Sequence, residues 1–372
     1  MSMDFKVYYA ALHSLFNLSH SKLRRMYEMY GEGIEIEWNK FEKGKLISII
    51  KPKSFEDAVR EWREWDMDAF LQEIRTLCME IVCEFEDCFP TTCKEVIPKP
   101  FLLYLRGDRE LLTQSSVALV GSRKMSFYGS QLVTTTVPLL VQAGFVTVSG
   151  GAFGIDTAVH RVTMEAGGKT IAVLGTGVNV AYPASNVALY KQMIEKGHLL
   201  VSEFPLHKGP EPFHFPLRNR IIAAIGGSVL VVEARRPSGA LITARAALEV
   251  GKDVFCFVGN VFDKAGEGTH DLIYKGEATA IVSPIHLLEQ LGCVVENTLV
   301  ENIVCKVSEA EKSFLDLFSA IPTELESILE KSAMSISEFQ LQMTLMEVKG
   351  FIQKVEGTKW VKDCNFSFTT DK

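Results

Sequence analysis

Between residues 117 and 282 the chain alternates short apolar runs with helical patterns. The runs fall at 117–120, 145–148, 171–174, 199–201, 229–232, 254–258 and 279–282. Strands that are apolar without a break are buried on both faces, and with helices between them they form a parallel sheet covered on both sides. That excludes a sandwich, a helical bundle or a repeat array for this part of the chain. It also says where to look for a site, because such sheets bind ligands beyond the carboxyl ends of their strands. Those ends read Gly121-Ser122-Arg123, Ser149-Gly150-Gly151-Ala152-Phe153-Gly154, Gly175-Thr176-Gly177, Ser202-Glu203 and Glu233-Ala234-Arg235-Arg236.

The second of these ends is the richest. Phe145-Val146-Thr147-Val148 enters it and a helical pattern of Ile155, Ala158, Val159 and Val162 leaves it. Strand, glycine loop and helix together aim backbone N–H groups and a helix N-terminus at an anion. The bland alternative is a turn and nothing more. Arg123 follows a strand-end Gly-Ser, where a guanidinium beside backbone donors suits a phosphate oxygen. Arg218, Asn219 and Arg220 sit at the start of a helix. Positive charge opposes the helix dipole there, so an anion or a carboxylate such as Glu203 or Glu233 should offset it. Ser238-Gly239 opens another helix, offering a phosphate contact or simple capping. Asp156 and His160, four apart, suit a hydrogen bond that orients the loop better than an acid/base pair.

Several chemistries are excluded. Gly175-Thr176-Gly177-Val178-Asn179-Val180 lacks the third glycine of a dinucleotide fingerprint, and Pro183 breaks the helix that would receive the pyrophosphate. Gly168-Lys169-Thr170 resembles the end of a P-loop but precedes a strand and has Thr163 where the first glycine belongs. No G-x-S-x-G elbow and no H-E-x-x-H occurs. Cys78, Cys83, Cys88 and Cys93 recur every five residues, which fits neither zinc knuckles nor a C-x-x-C pair. No cofactor, metal ligand set or catalytic residue is therefore expected. Residues 125–155 are uncharged but rich in Thr, Gln and Gly, which reads as a buried helix and strand, with no membrane span. The N-terminus lacks a signal-peptide core, and the protein reads as cytoplasmic.

Net charge is −7, yet residues 101–292 carry 17 basic and 15 acidic side chains, and nine of the 14 arginines lie there. An anionic partner should be held locally by this segment. Residues 1–75 read as a helical module for packing or partner contact. Residues 308–372, with no arginine, read as three helices and a hairpin, a winged-helix pattern. That composition makes the last unit a poor holder of an anionic partner.

The middle segment resembles the DNA-processing protein A (DprA/Smf) family. The resemblance is carried in order by Gly121-Ser122-Arg123 with Ser126 and Gly129, Ser149-Gly150-Gly151-Ala152 with Gly154-Ile155-Asp156 and His160, Tyr182-Pro183 with Asn186, Ser202-Glu203, Phe215-Pro216, Arg218-Asn219-Arg220, Val232-Glu233-Ala234 and Ser238-Gly239. It implies an extended Rossmann-like domain over 76–300, flanked by the helical module and the winged helix. It implies single-stranded DNA binding without enzymatic activity, a role in natural transformation, a homodimer, and RecA and single-strand-binding protein as partners. By that similarity the DNA site involves Gly121, Ser122, Arg123, Ser149, Gly150, Gly151, Ala152, Gly154, Lys169, Arg218, Asn219, Arg220, Ser238 and Gly239.

The chain departs from its relatives at Ala184, where a basic residue often follows Tyr-Pro, at Val258-Gly259 and at Gly268-Thr269-His270-Asp271. The apolar set Leu272, Ile273, Ile281, Ile285, Leu287 and Leu288 is expected to support the dimer, or else to close the last strand and helix. The rival reading is a nucleotide phosphoribohydrolase on a related sheet. Those enzymes use a P-G-G-x-G-T-x-x-E loop, and here Ser149 replaces the proline and no Glu stands at the required spacing. A scaffold that never touches DNA is the other rival.

Overall fold

The computed structural model describes residues 4–42, 45–50, 52–293, 303–319, 321–355, 357–362 and 366–369. The chain forms two compact units, Met1–Cys293 and Val294–Lys372.

Among the described residues the first unit opens with six helices: α1 (Phe5–Phe16), α2 (His20–Tyr30), α3 (Ile34–Asn39), α4 (Leu46–Ile50), α5 (Phe55–Glu64) and α6 (Met67–Thr76). Asp4, Ser54 and Asp66 cap α1, α5 and α6 through their side chains, as N-cap residues do. Tyr9, Leu12, Leu23, Met26 and Phe41 are fully buried, in one core with Cys83, Leu102 and Tyr104 of the first two strands. Trp62 stacks on Phe41 at 5.4 Å between ring centroids, a packing role and no base platform.

The strands are β1 (Met79–Cys83), β2 (Leu102–Gly107), β3 (Ser116–Val120), β4 (Val146–Ser149), β5 (Thr170–Leu174), β6 (Leu199–Ser202), β7 (Ser228–Val231), β8 (Val254–Phe257) and β9 (Thr279–Ile281). Between and after them run α7 (Phe127–Gln142), α8 (Ile155–Glu165), α9 (Val187–Glu195), α10 (His214–Ile225), α11 (Gly239–Glu249), α12 (Glu267–Tyr274) and α13 (Pro284–Gln290). One nine-stranded sheet results, in the order β1-β2-β6-β5-β4-β3-β7-β8-β9. The seven strands from β6 to β9 are mutually parallel, while β1 and β2 add an antiparallel edge. All seven apolar runs are strands. The uncharged stretch is α7 and β4. The strand β1 was not legible as one.

The topology decides the site. From β3 the chain winds outward through β4, β5 and β6, then returns to lay β7 on the other side of β3. Neighbouring loops at β3 and β7 therefore depart in opposite directions and leave a crevice between them.

Leu272, Ile281, Leu287 and Leu288 are buried within this unit. They close β9 and α13 over the sheet, which corrects their reading as dimer contacts. The apolar side chains left exposed nearby in sequence are Val261, Phe262, Tyr274 and Val282. Cys83 and Cys93 are buried thiols, the latter pushed up to about 12 by burial. Among the described residues no group of His, Cys, Asp and Glu is placed to hold a metal ion.

The second unit contains β10 (Ile303–Lys306), α14 (Glu309–Leu315), β11 (Thr323–Glu324), α15 (Leu325–Ser332), α16 (Ile336–Val348), β12 (Ile352–Lys354), β13 (Lys359–Lys362) and β14 (Phe366–Thr369). Strands β12 and β13 form the expected hairpin, with β11 on its other edge. Ser308 and Ser335 each close a capping box with the Glu three residues on, a reciprocal arrangement that satisfies two orphan donors. Phe314, Phe339, Met346 and Trp360 form the core.

Candidate nucleic-acid interface

A cleft of about 520 Å³ opens at the carboxyl ends of β3 and β7, where the winding reverses. Gly121, Ser122 and Arg123 form one wall and Ser238 and Gly239 another, with Ala152 from the glycine loop, Asp156 from α8 and Arg218 and Asn219 from α10.

The glycine loop is held from within. Ser149 Oγ donates to Leu119 O at 2.7 Å, so this side chain latches β4 to β3 and is fully buried. The Asp156 carboxylate accepts Gly150 N at 3.2 Å and Ala152 N at 3.3 Å. It fills, with the protein's own anion, two of the donors that the loop was expected to aim at a phosphate. Burial pushes the Asp156 carboxyl up, against the pull of the Arg218 guanidinium. A Cβ on Gly150 would lie 2.7 Å from Asp156 Oδ2 and 2.8 Å from Arg218 Nη2, so only glycine fits between them. Gly154 has φ +75°, and a Cβ there would meet Ser122 O at 2.3 Å. This is where the two loops touch, and Ile155 N donates to Ser122 O at 3.2 Å. Gly151 O accepts from Asn186 Nδ2 and Tyr190 OH, both at 3.0 Å. His160 faces away: its Nδ1 meets Thr170 Oγ1 at 2.7 Å, and burial lowers its pKa to about 3. Asp156 orients the loop and His160 has no part in that.

The two arginines of α10 part ways. Arg218 donates to the carbonyls of Gly150 and Val173, tying α10 to the sheet. Arg220 is deeper. Its Nη1 and Nη2 donate to Glu203 Oε1 and Oε2 at 2.8 and 2.6 Å, and its Nε to Pro98 O at 2.8 Å. Both partners are buried, so Glu203 is the offsetting carboxylate and Arg220 has no free edge for a phosphate. Glu233 serves another joint, accepting Ser126 N at 2.9 Å and Ser126 Oγ at 2.5 Å. Asn219 Nδ2 donates to Gly239 O at 3.1 Å, which fixes the start of α11. Ser238 Oγ accepts Ala240 N at 3.3 Å and caps that helix.

Lys169 is not brought to the cleft. It precedes β5, at the opposite end of the sheet from the strand-end loops. Its ammonium donates to Lys196 O and Gly197 O, both at 3.0 Å.

The free cations of the cleft are Arg123, Lys124 and Arg235, all exposed and without an ion-pair partner among the described residues. Ser122 Oγ accepts Lys124 N at 3.1 Å and donates to Lys124 O at 2.8 Å, closing the turn that presents the first two. The Arg123 guanidinium lies 5.4 Å from the centroid of the Phe215 ring. Phe215 in turn packs against Tyr182 at 5.2 Å, and both rings line the cleft. This aromatic wall was not singled out from the sequence. Its signal was two aromatic-Pro pairs, Tyr182-Pro183 in the loop after β5 and Phe215-Pro216 in the first turn of α10, each bearing an aromatic on the strand-end rim.

The model of the DNA recombination-mediator protein A family matches residues 80–292. The DNA processing protein DprA of Streptococcus pneumoniae (strain ATCC BAA-255 / R6) is 44% identical over 191 residues, 51% of this chain and 67% of the relative. Protein Smf of Escherichia coli (strain K12) is 35% identical over 265 residues, 69% of this chain and 71% of the relative. Among solved structures, DNA processing protein A from Streptococcus pneumoniae superposes with a TM-score of 0.64 at 33% identity, over 78% of this chain and 99% of its own. DNA processing protein A from Helicobacter pylori, described for its single-stranded DNA binding mode, superposes with a TM-score of 0.51 at 27% identity, over 57% of this chain and 95% of its own. The matched residues run from β1 past α13 and take in every loop of the cleft; the chain belongs to the DNA recombination-mediator protein A family.

Proposed function

We propose that this protein binds single-stranded DNA in the cleft between β3 and β7, with no chemical step. The observation that carries the reading is the set Arg123, Phe215 and Tyr182: a free guanidinium over an aromatic wall, with Lys124 and Arg235 on the same rim. A base can stack on such a wall only if it has left a duplex, and stacking is tolerant of sequence. Exposed cations beside it hold phosphates without reading bases. The solved relative from Helicobacter pylori is described by that same class of ligand.

The rival phosphoribohydrolase reading has less support. Among the described residues the one carboxylate lining the cleft is Asp156, which is engaged by the glycine loop. The second unit also suits DNA poorly. Lys349, Lys359 and Lys362 pair with Glu311, Glu324 and Asp316. The outer face of α16 carries Leu341, Leu345 and Val348, all exposed and apolar. We read this unit, a winged helix by its element order, as a contact module. Within the same reading the protein acts in natural transformation, shields strands, and helps RecA load where single-strand-binding protein would block it. A homodimer fits the exposed Phe262, Tyr274 and Val282.

The test is titration of the full chain with oligothymidine and with duplex DNA across a salt series. Oligothymidine is expected to bind at least about tenfold tighter, a difference of roughly 1.4 kcal/mol, with a log–log salt slope of roughly 0.7 per phosphate neutralised. Equal affinity for duplex throughout the series contradicts the reading.

A further inference from the structure

A second depression, about 640 Å³ in volume, adjoins the cleft. The two share Pro237, Ser238, Gly239 and Ile242 as a common wall, so they are one surface divided by a low saddle. Beyond the saddle the surface belongs to α11. Gly239, Ile242 and Arg245 recur every three residues on the exposed side of that helix, and helical neighbours at that spacing share a face. A rise of 1.5 Å per residue sets Arg245 about 9 Å along the helix from Gly239.

The charge there is favourable to an anion. The carboxylate that lines this depression is Asp271, and Arg236 and Lys275 both pair with it. Arg245 is exposed and has no ion-pair partner among the described residues, Glu249 on the same helix included. An unpaired guanidinium next to an exposed isoleucine reproduces, in aliphatic form, the pairing of Arg123 with Phe215.

We propose that a DNA strand seated in the cleft continues over the Ser238–Gly239 saddle onto α11, where Ile242 lies under the sugar or base and Arg245 takes a following phosphate. The inference rests on the single-strand reading of the cleft and extends it to a second nucleotide subsite with a defined direction of exit. Continuity with the cleft is what favours a nucleic acid strand here over an acidic peptide.

The experiment uses the full chain and two oligothymidines, one of roughly 4 nucleotides and one of roughly 16, the ends of the usual range of single-strand site sizes. Arg245→Ala should lower affinity for the long strand by about fivefold or more and reduce its salt slope by roughly 0.7, one phosphate contact. Affinity for the short strand should stay within about twofold, while Arg123→Glu weakens both. Alanine is the best helix former, so the exposed substitution does not threaten α11. Unchanged long-strand binding in Arg245→Ala overturns the subsite. An equal loss at both lengths also overturns it, because Arg245 would then touch the same nucleotides as Arg123. Wild-type protein that binds neither length removes the cleft reading, and the subsite with it.

Discussion

Arg220→Met should lower the unfolding free energy by roughly 3–5 kcal/mol while leaving the DNA affinity of the folded protein nearly unchanged. The guanidinium spans Glu203 in a bidentate pair at 2.6 and 2.8 Å and reaches Pro98 O with its third edge. Removing it leaves a buried carboxylate without its counter-charge, which is the costly half of a broken pair. Burial already raises the Glu203 pKa even with Arg220 in place, so the variant can limit its loss by protonating Glu203. A stability decrement of this size is a large fraction of the 5–15 kcal/mol typical of a domain. The double variant Arg220→Met with Glu203→Leu should recover much of it, since two apolar side chains can replace a buried pair at little cost. Urea denaturation of the three variants measures this. Near wild-type stability together with a tenfold loss of oligothymidine affinity would show instead that Arg220 reaches the strand.

Arg123→Glu should show the opposite pattern, with at least a tenfold loss of single-strand affinity, about 1.4 kcal/mol or more, and no measurable loss of stability. The side chain is exposed and lies over the Phe215 ring, so no core cavity opens. A charge-assisted hydrogen bond to phosphate contributes about 1.5–3 kcal/mol, and the reversal adds repulsion beside Lys124 and Arg235, which it partly neutralises. The salt slope should fall by roughly 0.7 or more. An unchanged binding isotherm would move the site to another part of the rim.

The sheet was legible because its strands are buried on both faces, and burial on both faces writes itself as unbroken apolar runs. The edge strand β1 was not. Met79-Glu80-Ile81-Val82-Cys83 is interrupted by a charge, and it pairs antiparallel with β2 at the edge of the sheet. The position of the cleft followed from strand ends, but the duties of its residues did not. Sequence places Arg218 and Arg220 two apart at one helix start. Only packing shows that Arg218 turns to carbonyls of β5 and the glycine loop while Arg220 turns to Glu203. The glycine loop is similar: its composition announces donors, and only the fold shows that Asp156, from the following helix, takes two of them. Lys169 illustrates the value of strand direction. It stands before β5 and not after it, which by itself puts it on the other rim.

Photocross-linking shows whether a bound strand lies in the cleft against Phe215 and Tyr182. An oligothymidine carrying bromodeoxyuridine is bound to the full chain and irradiated, and the linked peptides are identified by mass spectrometry. Links are expected to peptides containing Tyr182 or Phe215, lost on competition with unlabelled oligothymidine. Links confined to the α5 tryptophan region or to residues 309–362, with none in the cleft, would contradict that placement.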